Sequence, residues 1–142
     1  MPLTNFGSIL AFAAELEETD QAFYAGLAAS PGLAGLAGVF TRLAADAAKN
    51  REAVLRARRE NVTEMILEPV EGFFRDPFLR RRGDPAGLDP AQALATARQA
   101  EEKAAAFYRQ AAEKLMAMPE LARALKNLAK KRQRRLDELA GL

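Results

Sequence analysis

The chain has 142 residues, enough for one domain with a proper hydrophobic core. It contains no Cys and no His, which excludes disulfides, zinc sites of the Cys/His type, thiol redox chemistry, a four-cysteine iron centre and triads built on Ser-His or Cys-His. A net charge of +2 does not by itself argue for nucleic acid, and acid–base chemistry would fall to Asp, Glu, Lys or Tyr.

Ala and Leu dominate the apolar residues and β-branched residues are scarce, a mix that favours helices. A first helix is expected from Thr4 or Asn5, either able to cap it, to about Ala29. Ser30-Pro31 supplies a cap followed by a proline at the first helical position and opens a second helix, which stops near Leu67, before Pro69. The stretch 69–89 holds Gly72, Pro77, Gly83, Pro85 and Gly87 with a basic run Arg80-Arg81-Arg82, and reads as a long crossover with a brief helix around Phe73–Leu79. Asp89-Pro90 repeats the cap-plus-proline signal and opens a third helix to about Met116; Pro119 opens a fourth that reaches nearly to Leu142. Short connections make antiparallel neighbours, so the fold expected over residues 1–142 is a single all-α domain, an antiparallel four-helix bundle of two helical hairpins joined by one crossover. No stretch approaches the roughly 20 apolar residues that span a membrane. The N-terminal segment has no Lys or Arg before its apolar run and reads poorly as a signal peptide, so a cytoplasmic protein is expected.

The two halves repeat each other. Glu17-Glu18 followed by Phe23-Tyr24 recurs as Glu101-Glu102 followed by Phe107-Tyr108, an offset of 84 (17 to 101, 24 to 108), and Leu43-Ala44 recurs as Leu128-Ala129, an offset of 85. Each helix also has an apolar stripe at three- and four-residue spacing, and each stripe is interrupted near mid-length: by Glu17 and Asp20 in the first helix, Asn50 in the second, Glu101 in the third, Arg132 and Arg135 in the fourth. Buried charges are costly unless paired or bound to metal. Glu17, Asp20, Asn50, Glu101, Arg132 and Arg135 are therefore expected to meet as a core charge cluster, three carboxylates against two guanidiniums; the alternative is that they are boundary residues reaching water along their stems.

This pattern resembles the rubrerythrin branch of the ferritin-like superfamily, whose first and third helices carry a Glu seven residues before a Tyr, as Glu17 and Tyr24 and then Glu101 and Tyr108 do here. The resemblance covers all four helices and leaves out the crossover. It implies a di-metal centre in which the second and fourth helices each add Glu-x-x-His after Leu-Ala. Those positions hold Ala47 and Asn50 after Leu43-Ala44, and Arg132 and Arg135 after Leu128-Ala129; a frame shifted by one gives Asp46 with Lys49 and Lys131 with Arg134, which is no better. A guanidinium cannot ligate a metal. The expected function is thus a metal-free scaffold or interaction protein without cofactor, its metals replaced by arginine charge. The alternative is a ferritin-like di-metal oxidoreductase or metal-binding protein holding Fe or Mn, or a single hard cation, on an oxygen-ligand site of Glu17, Asp20, Asn50 and Glu101.

Three other signals lie in the sequence. From Arg123 to Arg135 the fourth helix carries seven basic residues and no acid; with Arg56, Arg58, Arg59 and Arg80–Arg82 this could serve nucleic acid, but a solvated helix face is the reading taken. Glu60, Glu64, Glu68 and Glu71 form an acidic row suited to a basic neighbour. Phe73, Phe74, Phe78 and Leu79 are too apolar for a plain loop; they could cap the bundle's open end, but a homodimer contact is expected, with a membrane-surface contact as the alternative.

Overall fold

The computed structural model describes residues 2–61, 70–79 and 84–142. Among them lie four α-helices, α1 (Phe6–Ala28), α2 (Ala37–Glu60), α3 (Pro90–Lys114) and α4 (Pro119–Ala140), and no strand beyond one isolated antiparallel bridge between Pro2 and Phe74. The chain is all-α. Taken singly, no helix among the described residues is long and apolar enough to cross a membrane.

The helix starts follow from their caps. Asn5 Oδ1 accepts from the Ser8 N–H at 2.8 Å while Ser8 Oγ accepts from the Asn5 N–H at 3.1 Å; Asp89 and Gln92 make the same reciprocal pair at 2.8 and 3.0 Å. Thr4 is not the cap. Pro90 and Pro119 begin α3 and α4, where their missing N–H costs nothing. The second helix departs from expectation. Ser30-Pro31 opens a 3-10 segment, Pro31–Leu36, and regular α-helix begins only at Ala37. Gly32, Gly35 and Gly38 crowd this turn, and each weakens helix by roughly 1 kcal/mol relative to Ala. The expected continuation to Leu67, with Glu64 and Glu68 of the acidic row, lies outside the described residues.

α1 packs chiefly along α2, and α3 along α4. The buried apolar side chains form two clusters. One holds Phe6 to Leu16 of α1, Val54 and Ala57 of α2, Ala104 to Ala112 of α3 and Leu121 to Ala129 of α4. The other holds Phe23, Tyr24 and Leu27 of α1, Phe40 and Leu43 of α2, Ala93 and Ala97 of α3 and Leu139 of α4. All four helices pass from one cluster to the other, and the polar interruptions fall at that crossing.

The described part of the crossover is tied down rather than loose. The Leu3 N–H donates to Phe73 O and the Val70 N–H to Thr4 O, both at 2.8 Å. Lys103 and Lys114 of α3 reach across to Leu79 O and Glu71 O at 2.6 and 2.8 Å. The expected brief helix is a single 3-10 turn, Asp76–Phe78. Its apolar residues divide: Phe73 and Phe78 are buried around Phe107, ring centroids 5.7 and 5.4 Å away, whereas Phe74 and Leu79 are about half exposed. Burying the two phenyl rings contributes on the order of 1.5–3 kcal/mol each. A second 3-10 turn, Pro85–Gly87, sits against α1 at Gly26, where a Cβ would come within 2.9 Å of the Pro85 ring. Ser30 Oγ closes this corner with bonds to Gly26 O and Pro85 O at 2.9 and 3.2 Å. The basic run Arg80–Arg82 lies outside the described residues.

Candidate functional site: a buried arginine among three carboxylates

Between the two apolar clusters lies a polar layer drawn from every helix, charged in all but α2. Glu17 and Asp20 come from α1, Asn50 from α2, Glu101 from α3 and Arg132 from α4. Glu17, Asp20, Glu101 and Arg132 are each no more than 2% exposed. The Arg132 guanidinium stands at the centre. Nη1 donates to Glu101 Oε1 at 2.9 Å, and Nη2 donates to Asp20 Oδ2 at 2.8 Å and to Glu17 Oε1 in a still closer contact. Nε reaches Glu17 Oε2 at 3.4 Å, so Glu17 is held side-on by the Nε–Nη2 edge of the planar fork. Asn50 Nδ2 lies 3.5 Å from Glu17 Oε1, at the edge of hydrogen-bond reach.

Two tyrosines complete the layer by an exchange between the halves. Tyr24 of α1 donates to Glu101 Oε1 of α3 at 2.9 Å, and Tyr108 of α3 donates to Glu17 Oε2 of α1 at 2.5 Å. Each repeat's tyrosine serves the other repeat's glutamate. Sequence reasoning noted both tyrosines as part of the repeat but did not place them in the cluster; their shared 84-residue offset was the available signal. Burial and the neighbouring carboxylates hold both phenols well above their ordinary range, so they remain donors.

The electrostatics are unbalanced. Burial alone would lower the Arg132 guanidinium, but Glu17, Glu101 and Asp20 together hold it well above its usual range, and it stays charged. Against that one cation stand three buried carboxyls. Burial raises the Glu17 carboxyl above its ordinary value; Arg132 and Tyr108 oppose the rise, while Asp20 and Glu101 add to it. Glu101 Oε2 is buried with no hydrogen-bond partner among the described residues.

Arg135 does not join this layer, and the expectation of two guanidiniums at the centre is corrected. Its side chain is 25% exposed and turns to the α2 side, with Nε 2.5 Å from Asp46 Oδ2 and Nη1 2.9 Å from Glu138 Oε2. Three residues along a helix rotate a side chain by about 300°, so Arg132 and Arg135 diverge by roughly 60° around α4. The interior takes one, and the other meets an acid at its rim.

The di-metal centre that the sequence resemblance implies would need carboxylates and imidazoles around an open space. Glu17 and Glu101 converge, but the space between them is filled by a guanidinium. Position 47 offers a methyl group, and Asn50 and Arg132 stand at two of the other ligand positions. No three acidic side chains among the described residues are arranged to hold a metal ion. These residues do not fit a di-metal centre. Compared with known protein families, curated proteins and solved structures, the chain matches none.

Proposed function

We propose that the chain is a metal-free scaffold of ferritin-like type: an antiparallel bundle of two duplicated hairpins whose centre is held by a Glu–Arg–Tyr network instead of metal. It acts through its surface rather than by redox chemistry. The observation that carries this reading is the Arg132 guanidinium, bonded to Glu17, Asp20 and Glu101 at the level where all four helices turn polar. A fixed cation there meets the need that two metal ions meet in a carboxylate cluster, with no redox partner and no open coordination position. The order in which the helices cross the two apolar clusters supports the arrangement. α1 and α4 run from the first cluster to the second, and α2 and α3 run the other way. The tyrosine exchange supports the duplication.

The test is to restore the metal. Chain purified without chelator should show no rise in melting temperature with Fe²⁺ or Mn²⁺. A variant carrying Ala47→Glu, Asn50→His, Arg132→Glu and Arg135→His should be less stable than wild type without metal. Its melting temperature should rise when metal is added, because a ligand that binds only the folded state stabilises it. A larger metal-dependent rise in wild type than in the variant would overturn the reading. A variant that folds but ignores metal would overturn the proposed register of the repeat.

A further inference from the structure

α2 and α4 enclose a cleft of about 110 Å³ lined by Asp46, Lys49, Asn50, Lys131, Arg134 and Arg135. These six side chains are three repeat pairs at the 85-residue offset: 46 with 131, 49 with 134, 50 with 135. The cleft therefore sits where the two halves of the duplication face each other. Four of its side chains are cations and one is an acid. Asp46 is already taken by Arg135, and Lys49, Lys131 and Arg134 form no salt bridge among the described residues. Asn50 is 5% exposed; it lines the cleft and also directs its amide toward Glu17. A second, wider cleft of about 430 Å³ shares Lys49 and Lys131 and continues over Ala48 and Ala53 to Arg56, with Glu52 as its one acid.

We propose that the smaller cleft binds the phosphate group of a small organic phosphate, whose remainder lies over Ala48 and Ala53 in the wider one. Three of the four cations, Lys49, Lys131 and Arg134, lack acidic partners among the described residues and call for a compact anion, and arginine and lysine together suit a phosphate's several oxygens. The volume of the smaller cleft falls well below the roughly 300–1,000 Å³ of pockets that enclose a whole drug-sized ligand, so it suits one group rather than a whole molecule. The two alanines give the organic part a shallow apolar floor between Arg56 and the lysines. The proposal stands on this surface alone and is independent of the metal-free reading of the core.

Phenyl phosphate and inorganic phosphate are the probes, titrated into the full chain at fixed ionic strength with chloride as the control. Binding is followed by calorimetry and by amide chemical shifts. Phenyl phosphate should bind more tightly than inorganic phosphate, with shifts confined to α2 and α4. The exposed pair Lys131→Ala with Arg134→Ala should weaken phenyl phosphate at least about tenfold while leaving the melting temperature nearly unchanged. Asp46→Ala removes the smaller cleft's one acid, leaving Arg135 paired with Glu138 alone, and should tighten binding several-fold, a change in the direction opposite to damage. Shifts no larger than those of chloride, or equal affinity in the double variant, would overturn the proposal. So would binding of a single-stranded oligonucleotide in the absence of any phenyl phosphate binding, which would mark the basic face as a nucleic-acid surface.

Discussion

The two halves of the molecule match at Glu17 and Glu101 and at Tyr24 and Tyr108, and differ at two buried places. Where the first half has Asp20 the second has Ala104, and where the second half has Arg132 the first has Ala47. The first half brings an extra anion and leaves a small side chain. The second brings the cation and leaves a small side chain in its turn. The symmetric pairs make the frame, and the asymmetric pairs divide charge and volume between the halves. A duplicated interior has room for one guanidinium across its axis, and the alanine at the related position provides that room.

Removing the cation should have the largest effect. Arg132→Ala leaves three buried carboxyls without a counter-charge and should destabilise the protein by about 3–5 kcal/mol in a urea titration. A loss within about 0.5 kcal/mol would mean that the layer is hydrated and the pairing is worth little.

Moving the cation sharpens the same comparison. Ala47→Arg alone should overpack the layer and cost about 1–3 kcal/mol. Combined with Arg132→Ala it should recover a large part of the loss from Arg132→Ala, because the related position aims at the same two glutamates. Recovery should stay incomplete, since Ala104 offers no counterpart to Asp20. A double variant no better than the sum of its singles would show that the repeat does not extend to the second and fourth helices.

The tyrosines give a smaller and directional test. Tyr24→Phe and Tyr108→Phe each remove a donor to a buried carboxyl, worth about 1–3 kcal/mol. Glu17 keeps both Nε and Nη2 of Arg132, whereas Glu101 would retain a single bond beside its already unpartnered Oε2. Tyr24→Phe should therefore cost more. The reverse order, read from denaturation midpoints, would mean that the Glu101 oxygen finds another partner.

The smallest effect expected is on pH dependence. The raised Glu17 carboxyl binds its proton more tightly folded than unfolded. That proton stabilises the fold in full below the ordinary Glu value, and the contribution is lost as pH rises through the raised one. Relative to Glu17→Gln, which cannot titrate, wild type should lose melting temperature as pH rises above the ordinary Glu value. A difference that stays flat, or grows with pH, would place the excess proton elsewhere in the layer.

Much of this was legible from residue types at fixed spacing. The caps at Asn5 and Asp89 and the prolines at 90 and 119 fix helix starts through local bonds, so they could be read locally. The mid-helix interruptions could be read because each broke an otherwise apolar stripe. Arg135 could not be separated from Arg132 in this way. A stripe at three- and four-residue spacing covers a wide arc, and only packing decides which edge is interior. The start of α2 was misread because Ser30-Pro31 is as good an opening for a 3-10 turn as for an α-helix. In the crossover, composition marked Phe73, Phe74, Phe78 and Leu79 as one apolar group. Backbone turns that no periodicity encodes sorted them into two buried and two exposed.

The placement of the single guanidinium also bears on how the chain reaches its folded state. α3 and α4 together contain both Arg132 and one of its partners, Glu101, so that segment carries its own neutralised pair. α1 and α2 contain Glu17, Asp20 and Asn50, two acids and an amide with no interior cation. Collapse of the first pair on its own would trap bare carboxylates in an apolar medium, which disfavours any misassembled intermediate built from that pair alone. The second pair is expected to form first as the template, and the first to dock onto it with its acids meeting a charge already in place, an order that φ-values from folding kinetics would check. One side chain thus makes the two halves unequal in interior charge, and the expected order of assembly follows the half that carries the cation.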